Sequence, residues 1–170
     1  MRKIEIVDYN EDWVEEFKRE AAELSQVFGD ELVAIHHIGS TSVPALQAKP
    51  IIDIMPVVRR IERVDAFNPQ MEALGYEAMG ELGIPGRRYF RKGGDDRTHH
   101  VHVFQEGSEE IERHLAFRDY LRARPDVAAR YGELKAQLAR QFPHDIDAYM
   151  DGKDAFVKEV EQQALVWRRR

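Results

Sequence analysis

The chain has 170 residues, of which 43% are hydrophobic and 33% charged, so its length and composition suit one soluble, folded domain over residues 1–170. Its formal net charge of -6 argues against general nucleic-acid binding, although a local basic patch would still suit a small phosphorylated ligand. The chain contains no cysteine, which excludes disulfides and thiolate metal sites.

The N-terminal segment, residues 1–13, carries a basic pair but lacks the apolar stretch of a signal peptide. No run of apolar residues approaches the ~18 that a membrane-spanning helix needs. Together with the absence of cysteine, these features predict a cytoplasmic protein with no membrane partner.

The first half of the chain predicts one helix and two strands. Apolar residues recur at helical spacing from about residue 10 to 28, and Gly29 supplies a C-terminal stop. The segment LVAIHHI, residues 32–38, follows that stop and predicts a strand. KPIIDIMPVV, residues 49–58, predicts a second strand, with Pro56 at its end or at a bulge.

The middle of the chain predicts a helix, or a broken pair of helices, over residues 59–74, with Pro69 near the break. Two strands, about 87–92 and 98–105, are predicted to form a hairpin through the turn at residues 93–96.

The last third predicts three helices, the first capped by Ser108 and separated from the second by Pro125. A helix, a mixed sheet of four or five strands and three further helices make an α/β or α+β domain.

The turn Gly39-Ser40 and the lone Asp53 lie on neighbouring predicted strands. A strand that ends in Gly-Ser lets the backbone approach a phosphate closely. An ionised carboxylate between two isoleucines is costly to bury alone, so Asp53 is expected to face a cleft, pair with a cation or hold a metal. The alternative is that Asp53 accepts backbone hydrogen bonds from the turn formed by residues 39–42.

Histidines line the second hairpin strand. His100 and His102 share one face, while Val101 and Val103 take the other. If the valines pack on helices, the two histidines project onto the face of Asp53, and His37 lies beside the Gly-Ser turn. This set suits Zn²⁺, Mn²⁺, Ni²⁺ or Fe²⁺ and would equally serve as a general-base cluster. The alternative is that the histidines are simply solvated.

Cationic residues surround the same strands. Lys49, four residues before Asp53, and Arg91, on the strand face of Tyr89, are predicted to bind phosphate. The alternative is a charged hairpin edge that discourages strand aggregation.

In the helical half, the neighbours Arg118-Asp119 and Lys153-Asp154 either pair with each other or present one charge to a ligand. The last three arginines, residues 168–170, are predicted to form a solvated tail.

The Gly39-Ser40 turn followed thirteen residues later by Asp53 resembles the glycine-serine and carboxylate signature of the nucleotidyltransferase fold. In that superfamily several carboxylates hold two divalent ions that bridge a nucleoside triphosphate. This chain departs from the pattern twice, because Met55 stands where the second carboxylate is expected and His102 where the third is expected.

Four longer blocks resemble the GrpB family of bacterial proteins over nearly the whole chain: HIGSTSVPALQAKPIIDI, RTHHVHVF, FRDYLRARPDVAARYGELK and FPHDIDAYMDGKDAF. The resemblance implies a nucleotidyltransferase-like mixed sheet with an N-terminal helix and a C-terminal helical half. In some bacteria a similar domain is fused to dephospho-coenzyme A kinase.

The resemblance implies a divergent transferase that acts on a nucleotide or another phosphorylated small molecule with Mg²⁺ or Mn²⁺, and Zn²⁺ is a further candidate. The residues assigned are Asp53 and His102 for catalysis; Gly39, Ser40, Thr41, Ser42, Lys49 and Arg91 for phosphate or substrate; and Asp53, His100, His102 and His37 for metal. One alternative is a non-catalytic domain that binds a nucleotide or a coenzyme A precursor. Another is a single-metal hydrolase that uses the histidines and the aspartate.

Overall fold

Five strands form one mixed sheet at the centre of the computed structural model, which describes residues 3–169. The strands are β1 (Leu32–Ile38), β2 (Ile52–Val58), β3 (Tyr76–Ala78), β4 (Arg88–Lys92) and β5 (His99–Gln105). Their order across the sheet is β1-β2-β5-β4-β3, with β2 and β5 parallel and the other neighbours antiparallel. The predicted hairpin is confirmed as β4 and β5, whereas the three-residue β3 was not predicted.

Five α-helices accompany the sheet within the described residues. They are α1 (Asp12–Phe28), α2 (Asn68–Ala73), α3 (Glu109–Ala123), α4 (Pro125–Gln141) and α5 (Ile146–Arg168). The predicted break in residues 59–74 is a 3₁₀ helix, Ile61–Phe67, followed by α2, and Pro69 lies in the first turn of α2. The predicted α/β class, with an N-terminal helix and a helical C-terminal half, is confirmed.

The boundaries of the C-terminal helices follow from local sequence. The Ser108 side chain accepts a hydrogen bond from the Glu110 backbone N–H, which caps α3. Pro125 begins α4, where its missing N–H costs nothing. Between residues 3 and 169, no helix is both long enough and apolar enough to cross a membrane.

Pro56 lies inside β2, so of the two positions predicted for it, the strand end or a bulge, the strand end is wrong. It pairs with Ile35 of β1, while the pairing of β2 with β5 skips from Ile54 to Val57. Because proline has no N–H to donate, it is tolerated where the ladder to one neighbour is interrupted.

The two faces of the sheet are buried by different parts of the chain. On the face of α1, apolar residues of β2 and β5 form the main core with residues of α1: Ile52, Ile54, Val101 and Val103 with Trp13, Leu24 and Phe28. On the opposite face, Met55, Ile38 and Phe104 pack with residues of α3. Each fully buried side chain of this size contributes about 1.5–3 kcal/mol.

The helices α4 and α5 approach each other closely at Gly152. A Cβ atom at Gly152 would lie 2.5 Å from Cδ2 of Leu138 on α4. Elsewhere along the same two helices, the ring of Tyr131 on α4 stacks on that of Phe156 on α5, with centroids 5.5 Å apart. The absent side chain therefore allows α4 and α5 to approach each other closely.

Candidate functional site

A polar cavity of about 280 Å³ lies where the second face of the sheet meets the C-terminal helices. The sheet contributes Asp53 from β2 and His100 from β5, and the turn after β1 contributes residues 39–41. The helices and the segment before β2 contribute the remaining polar and aromatic walls: Lys49, Phe117, Tyr131, Lys135, Tyr149 and Lys153.

Gly39 allows the turn after β1 to lie against Asp53. Its φ is 73°, and a Cβ atom there would lie 2.5 Å from Oδ2 of Asp53. The pairing of Ile38 with Asp53 in the β1–β2 ladder brings the two together. The backbone of this turn was predicted to lie close to a phosphate, and in the structure it lies close to the Asp53 carboxylate.

The three hydroxyls of the turn have different environments. The Ser42 hydroxyl donates to the Gly39 carbonyl, and the Thr41 hydroxyl donates to the Ile51 carbonyl at 3.2 Å, so both fix the shape of the turn. Oγ of Ser40 instead accepts a hydrogen bond from Nζ of Lys135 at 2.7 Å and lines the cavity. Among the turn hydroxyls, Ser40 has the position predicted for contact with a ligand.

The structure brings Asp53, His100 and His102 together, with one potential ligand atom of each within 4.8 Å of the others. Nε2 of His102 is 3.0 Å and Nδ1 of His100 is 3.4 Å from Oδ1 of Asp53. Burial acts to raise the pKa of Asp53, but hydrogen bonds from the two histidines outweigh it and hold that pKa well below its ordinary value. The carboxylate is therefore ionised.

Arg87 fixes the tautomer of His102. A guanidinium nitrogen of Arg87 lies 3.3 Å from Nδ1 of His102. Because arginine can only donate, Nδ1 accepts, and Nε2 carries the proton that points to Asp53. A metal ligand must present a lone pair, so His102 in this arrangement orients Asp53 as a hydrogen-bond donor.

His100 has the opposite arrangement. Its Nδ1 faces Asp53, while its buried Nε2 has no hydrogen-bond partner within residues 3–169. Buried polar atoms normally have a hydrogen-bond partner, so this nitrogen is a suitable position for water, an ion or a ligand atom. Within residues 3–169 no partner of Nε2 fixes the tautomer of His100, so Nδ1 can exchange its hydrogen bond to Asp53 for a single transition-metal ion that both side chains bind. A pair of Mg²⁺ ions would need more oxygen ligands than this group offers.

His37 projects onto the face of α1, so its assignment as a metal ligand is corrected. It pairs with Ile54, and directly paired residues share a face of the sheet. Its ring stacks on Phe17, with centroids 4.8 Å apart, and Nε2 contacts the Thr41 hydroxyl at 2.9 Å. Burial lowers the pKa of His37 to about 4, so it is a neutral side chain of the core.

Arg91 also lies outside the group that lines the cavity. Its Nε donates to a carboxylate oxygen of Glu77 on β3 at 3.0 Å. The prediction placed Arg91 on the correct strand but missed β3, which supplies its partner. Lys49, the other predicted phosphate ligand, does line the cavity.

Two further lysines line the cavity: Lys153 was predicted in one alternative to present a charge to a ligand, and Lys135 was not predicted. Lys135 is only 2% exposed, and within the described part of the chain no ion pair joins Lys135 or Lys153 to a carboxylate. Burial, together with repulsion from nearby lysines, lowers the pKa of Lys135 to about 6 and that of Lys153 to about 8. Lys135 lies on the apolar stripe of α4 between Tyr131 and Leu138, a pattern that could have revealed it.

The remaining predictions concern charged residues of the helical half and have different outcomes. Arg118 pairs with Asp119 at 2.8 Å, as one prediction had it, and Asp119 also binds Arg168 at 2.9 Å, so Arg168 is not part of a solvated tail. Asp154 pairs with Lys158, which leaves Lys153 to the cavity. Arg170 lies outside the described residues.

These features define an α/β protein with a mixed sheet and a cavity in which an Asp–His pair faces buried lysines. The profile of a family described as GrpB protein matches residues 3–163, and the chain belongs to that family.

Individual relatives agree with this assignment. The chain is 55% identical to UPF0157 protein YqkA of Bacillus subtilis over 99% of its own length and 49% of the relative, so it spans about half of that protein. A crystal structure of GrpB from Enterococcus faecalis, 50% identical, matches with a TM-score of 0.95 over 98% of this chain and all of that one. A dephospho-CoA kinase of Mycobacterium leprae contains a region 26% identical, which covers 91% of this chain and 45% of the kinase.

Proposed function

We propose that the chain binds the phosphate groups of a nucleotide or another phosphorylated small molecule in this cavity and transfers a group from it with a divalent ion. The observation that carries the proposal is the buried Lys135. Its amino group is paired with no carboxylate within residues 3–169, and burial together with the neighbouring Lys49 and Lys153 lowers its pKa to about 6. The positive charges of Lys49 and Lys153 therefore face the same cavity, and a bound phosphate would bring a negative charge to them.

Asp53 and His100 would hold the divalent ion beside the phosphate. Such an ion would neutralise charge on the phosphate oxygens. His102 keeps the Asp53 carboxylate in position through its Nε2–H, and Arg87 keeps His102 in that tautomer. Ser40 offers a hydroxyl, and Lys49 and Lys153 offer ammonium groups, to the phosphate oxygens.

A binding domain without catalysis is the second candidate, and Met55 favours it. Met55 is fully buried with Ile38 and Phe104, so the position of the second carboxylate of the nucleotidyltransferase pattern belongs to the apolar core. The two-ion arrangement of that superfamily therefore does not fit this chain. A hydrolase with a single ion at Asp53 and His100 would use the same atoms and would differ in its product.

The proposal is tested by isothermal titration calorimetry with ATP, coenzyme A, dephospho-coenzyme A and pyrophosphate, each with Mn²⁺, Zn²⁺ or EDTA. We expect at least one of these ligands to bind and Lys153→Met to weaken binding by at least about 10-fold, because a charge-assisted hydrogen bond is lost. Lys158→Met is the matched control, since Lys158 is exposed on the same helix and pairs with Asp154. Absence of binding, or equal weakening by both variants, would contradict the phosphate site.

Chromatography of the same mixtures separates the candidates. Conversion of the ligand by the wild type, lost in Asp53→Asn, supports group transfer or hydrolysis, and the product distinguishes them. Binding without conversion supports the accessory domain.

A further inference from the structure

Ser40 occupies a position that differs from those of its neighbours. It directly follows the tight turn at Gly39, and its Oγ lines the cavity while the hydroxyls of Thr41 and Ser42 are bonded to backbone carbonyls. Oγ of Ser40 lies 2.7 Å from Nζ of Lys135. A serine hydroxyl becomes an effective nucleophile when a base stands within hydrogen-bond distance of it.

Lys135 has the surroundings that a base requires. It is buried, its hydrogen bond goes to Ser40, and the charges of Lys153 and Lys49 oppose a further positive charge on it more than the Asp53 carboxylate favours one. Burial and this repulsion lower the pKa of Lys135 to about 6, so a neutral amine with a free lone pair is available near neutral pH.

Tyr131 completes the surroundings of Ser40. Burial raises the pKa of Tyr131 to about 12, so it stays a phenol and can hydrogen-bond to Ser40 without taking its proton. Its ring lies 4.5 Å from Nζ of Lys135. Tyr131 therefore holds the serine and the lysine together on one side of the cavity.

We propose that Ser40 is a nucleophile that attacks phosphorus in a bound phosphoric anhydride and that Lys135 accepts its proton. The bond from Oγ to phosphorus forms, the bond from phosphorus to the bridging oxygen breaks, and the leaving phosphate or pyrophosphate takes the electron pair. The proton of Oγ passes to Nζ of Lys135. Lys49 and Lys153 neutralise the charge that develops on the phosphoryl oxygens. The choice of a phosphoric anhydride as the electrophile rests on the proposed function. The activation of Ser40 by Lys135 does not depend on it.

A fluorophosphonate probe tests the activation directly, because Oγ replaces fluoride on its phosphorus. We expect the wild type to be labelled at Ser40, as mapped by peptide mass spectrometry, at a rate that rises with pH through about 6 as Lys135 becomes neutral. Lys135→Met should lower the rate by about 100-fold or more, the size of a typical general-base contribution. Ser25→Ala should label like the wild type, because Ser25 lies on α1 and bonds to a backbone carbonyl.

Lys135→Arg separates the role of Lys135 as a base from the effect of a positive charge at this position. Arginine stays protonated, so this variant keeps a cation for phosphate but should lose labelling. Labelling of Lys135→Arg at the wild-type rate would overturn the role of Lys135, and the absence of Ser40 labelling in folded wild type would overturn the nucleophile. Calorimetric binding of ATP without labelling leaves the proposed function standing and removes this inference. Labelling without binding of any phosphate ligand does the reverse.

Discussion

Two neighbouring histidines of β5 face opposite sides of the sheet, and their surroundings differ in charge. On the side of α1, the Glu20 carboxylate accepts hydrogen bonds from Lys92 and from the Tyr76 hydroxyl, both at 2.6 Å, with His99 3.9 Å away. On the other side, His100 and Asp53 share a cavity with Lys135 and Lys153, neither of which forms an ion pair within the described residues. We call these the Glu20 cluster and the Asp53 cavity.

The comparison shows what buried charge does in each place. In the Glu20 cluster the cation, the carboxylate and the phenol satisfy one another's hydrogen-bonding groups. The cluster therefore joins α1, β3, β4 and β5 without a ligand. In the Asp53 cavity the lysines repel one another, and the anion of the proposed function would relieve that repulsion. Similar residue types therefore form a satisfied charge cluster on one face and a group of mutually repelling cations on the other.

Removing Glu20 should give the largest effect. Glu20→Ala leaves Lys92 and Tyr76 without their acceptor, and we expect the free energy of unfolding to fall by about 3–5 kcal/mol in urea titrations. Burial opposes ionisation, but hydrogen bonds from Lys92 and Tyr76 lower the pKa of Glu20 below 4.5. The contribution is therefore present above that pH and is lost as the pH falls below it.

Glu23→Ala is the matched control, because Glu23 is exposed on the same helix and should change stability by less than about 0.5 kcal/mol. If Glu20→Ala changed the free energy of unfolding as little as Glu23→Ala, the Glu20 cluster would not stabilise the fold as we expect.

The same substitution on the two faces should have opposite signs. Lys135→Met removes a buried amine that forms no ion pair within residues 3–169, so the free energy of unfolding at pH 7 should be unchanged or rise by about 1–2 kcal/mol, whereas Lys92→Met should destabilise. Because the pKa of Lys135 is about 6 in the folded protein and 10.5 ordinarily, the unfolded chain binds more protons between these values. Wild-type stability should therefore rise with pH across that range, and Lys135→Met should lack this component. A loss of stability in Lys135→Met like that in Lys92→Met would remove the distinction.

The smallest effect is spectroscopic. Long-range ¹H–¹⁵N correlation spectra at pH 8 should show His102 as the Nε2–H tautomer, because Arg87 donates to Nδ1. Arg87→Met should release that preference without unfolding the chain. Observation of Nδ1–H in the wild type would mean that His102 presents a lone pair to Asp53 and the cavity, and would return it to the set of metal ligands.

Local rules predicted much of this site from the sequence. Strand alternation placed Asp53, His100 and His102 on one face, and pairing of β2 with β5 brought them into contact. Alternation applied to β1 would also have assigned His37 to the other face, but its nearness to the Gly-Ser turn was given more weight. Proximity along the chain is a weaker guide than the side of the sheet.

The lysines of the helical half could not be placed by such rules. Lys135 meets Ser40 across 95 residues, and that contact depends on how α4 docks against the turn. Spacing along the chain carries no information about that docking. The sequence shows that Lys135 is a charged residue on an otherwise apolar helix stripe, which indicates burial but not the group that it contacts.

Gly152 gives the cavity a dimension that none of its polar residues controls. Since α5 meets Leu138 of α4 there without an intervening side chain, the helices that carry Lys153 and Lys135 are held at one separation. That separation limits the distance between the two side-chain amines. Under the proposed function, a contact between helices outside the cavity wall would thereby limit the size of the anion, and a larger residue at position 152 is expected to change selectivity without replacing any charged group.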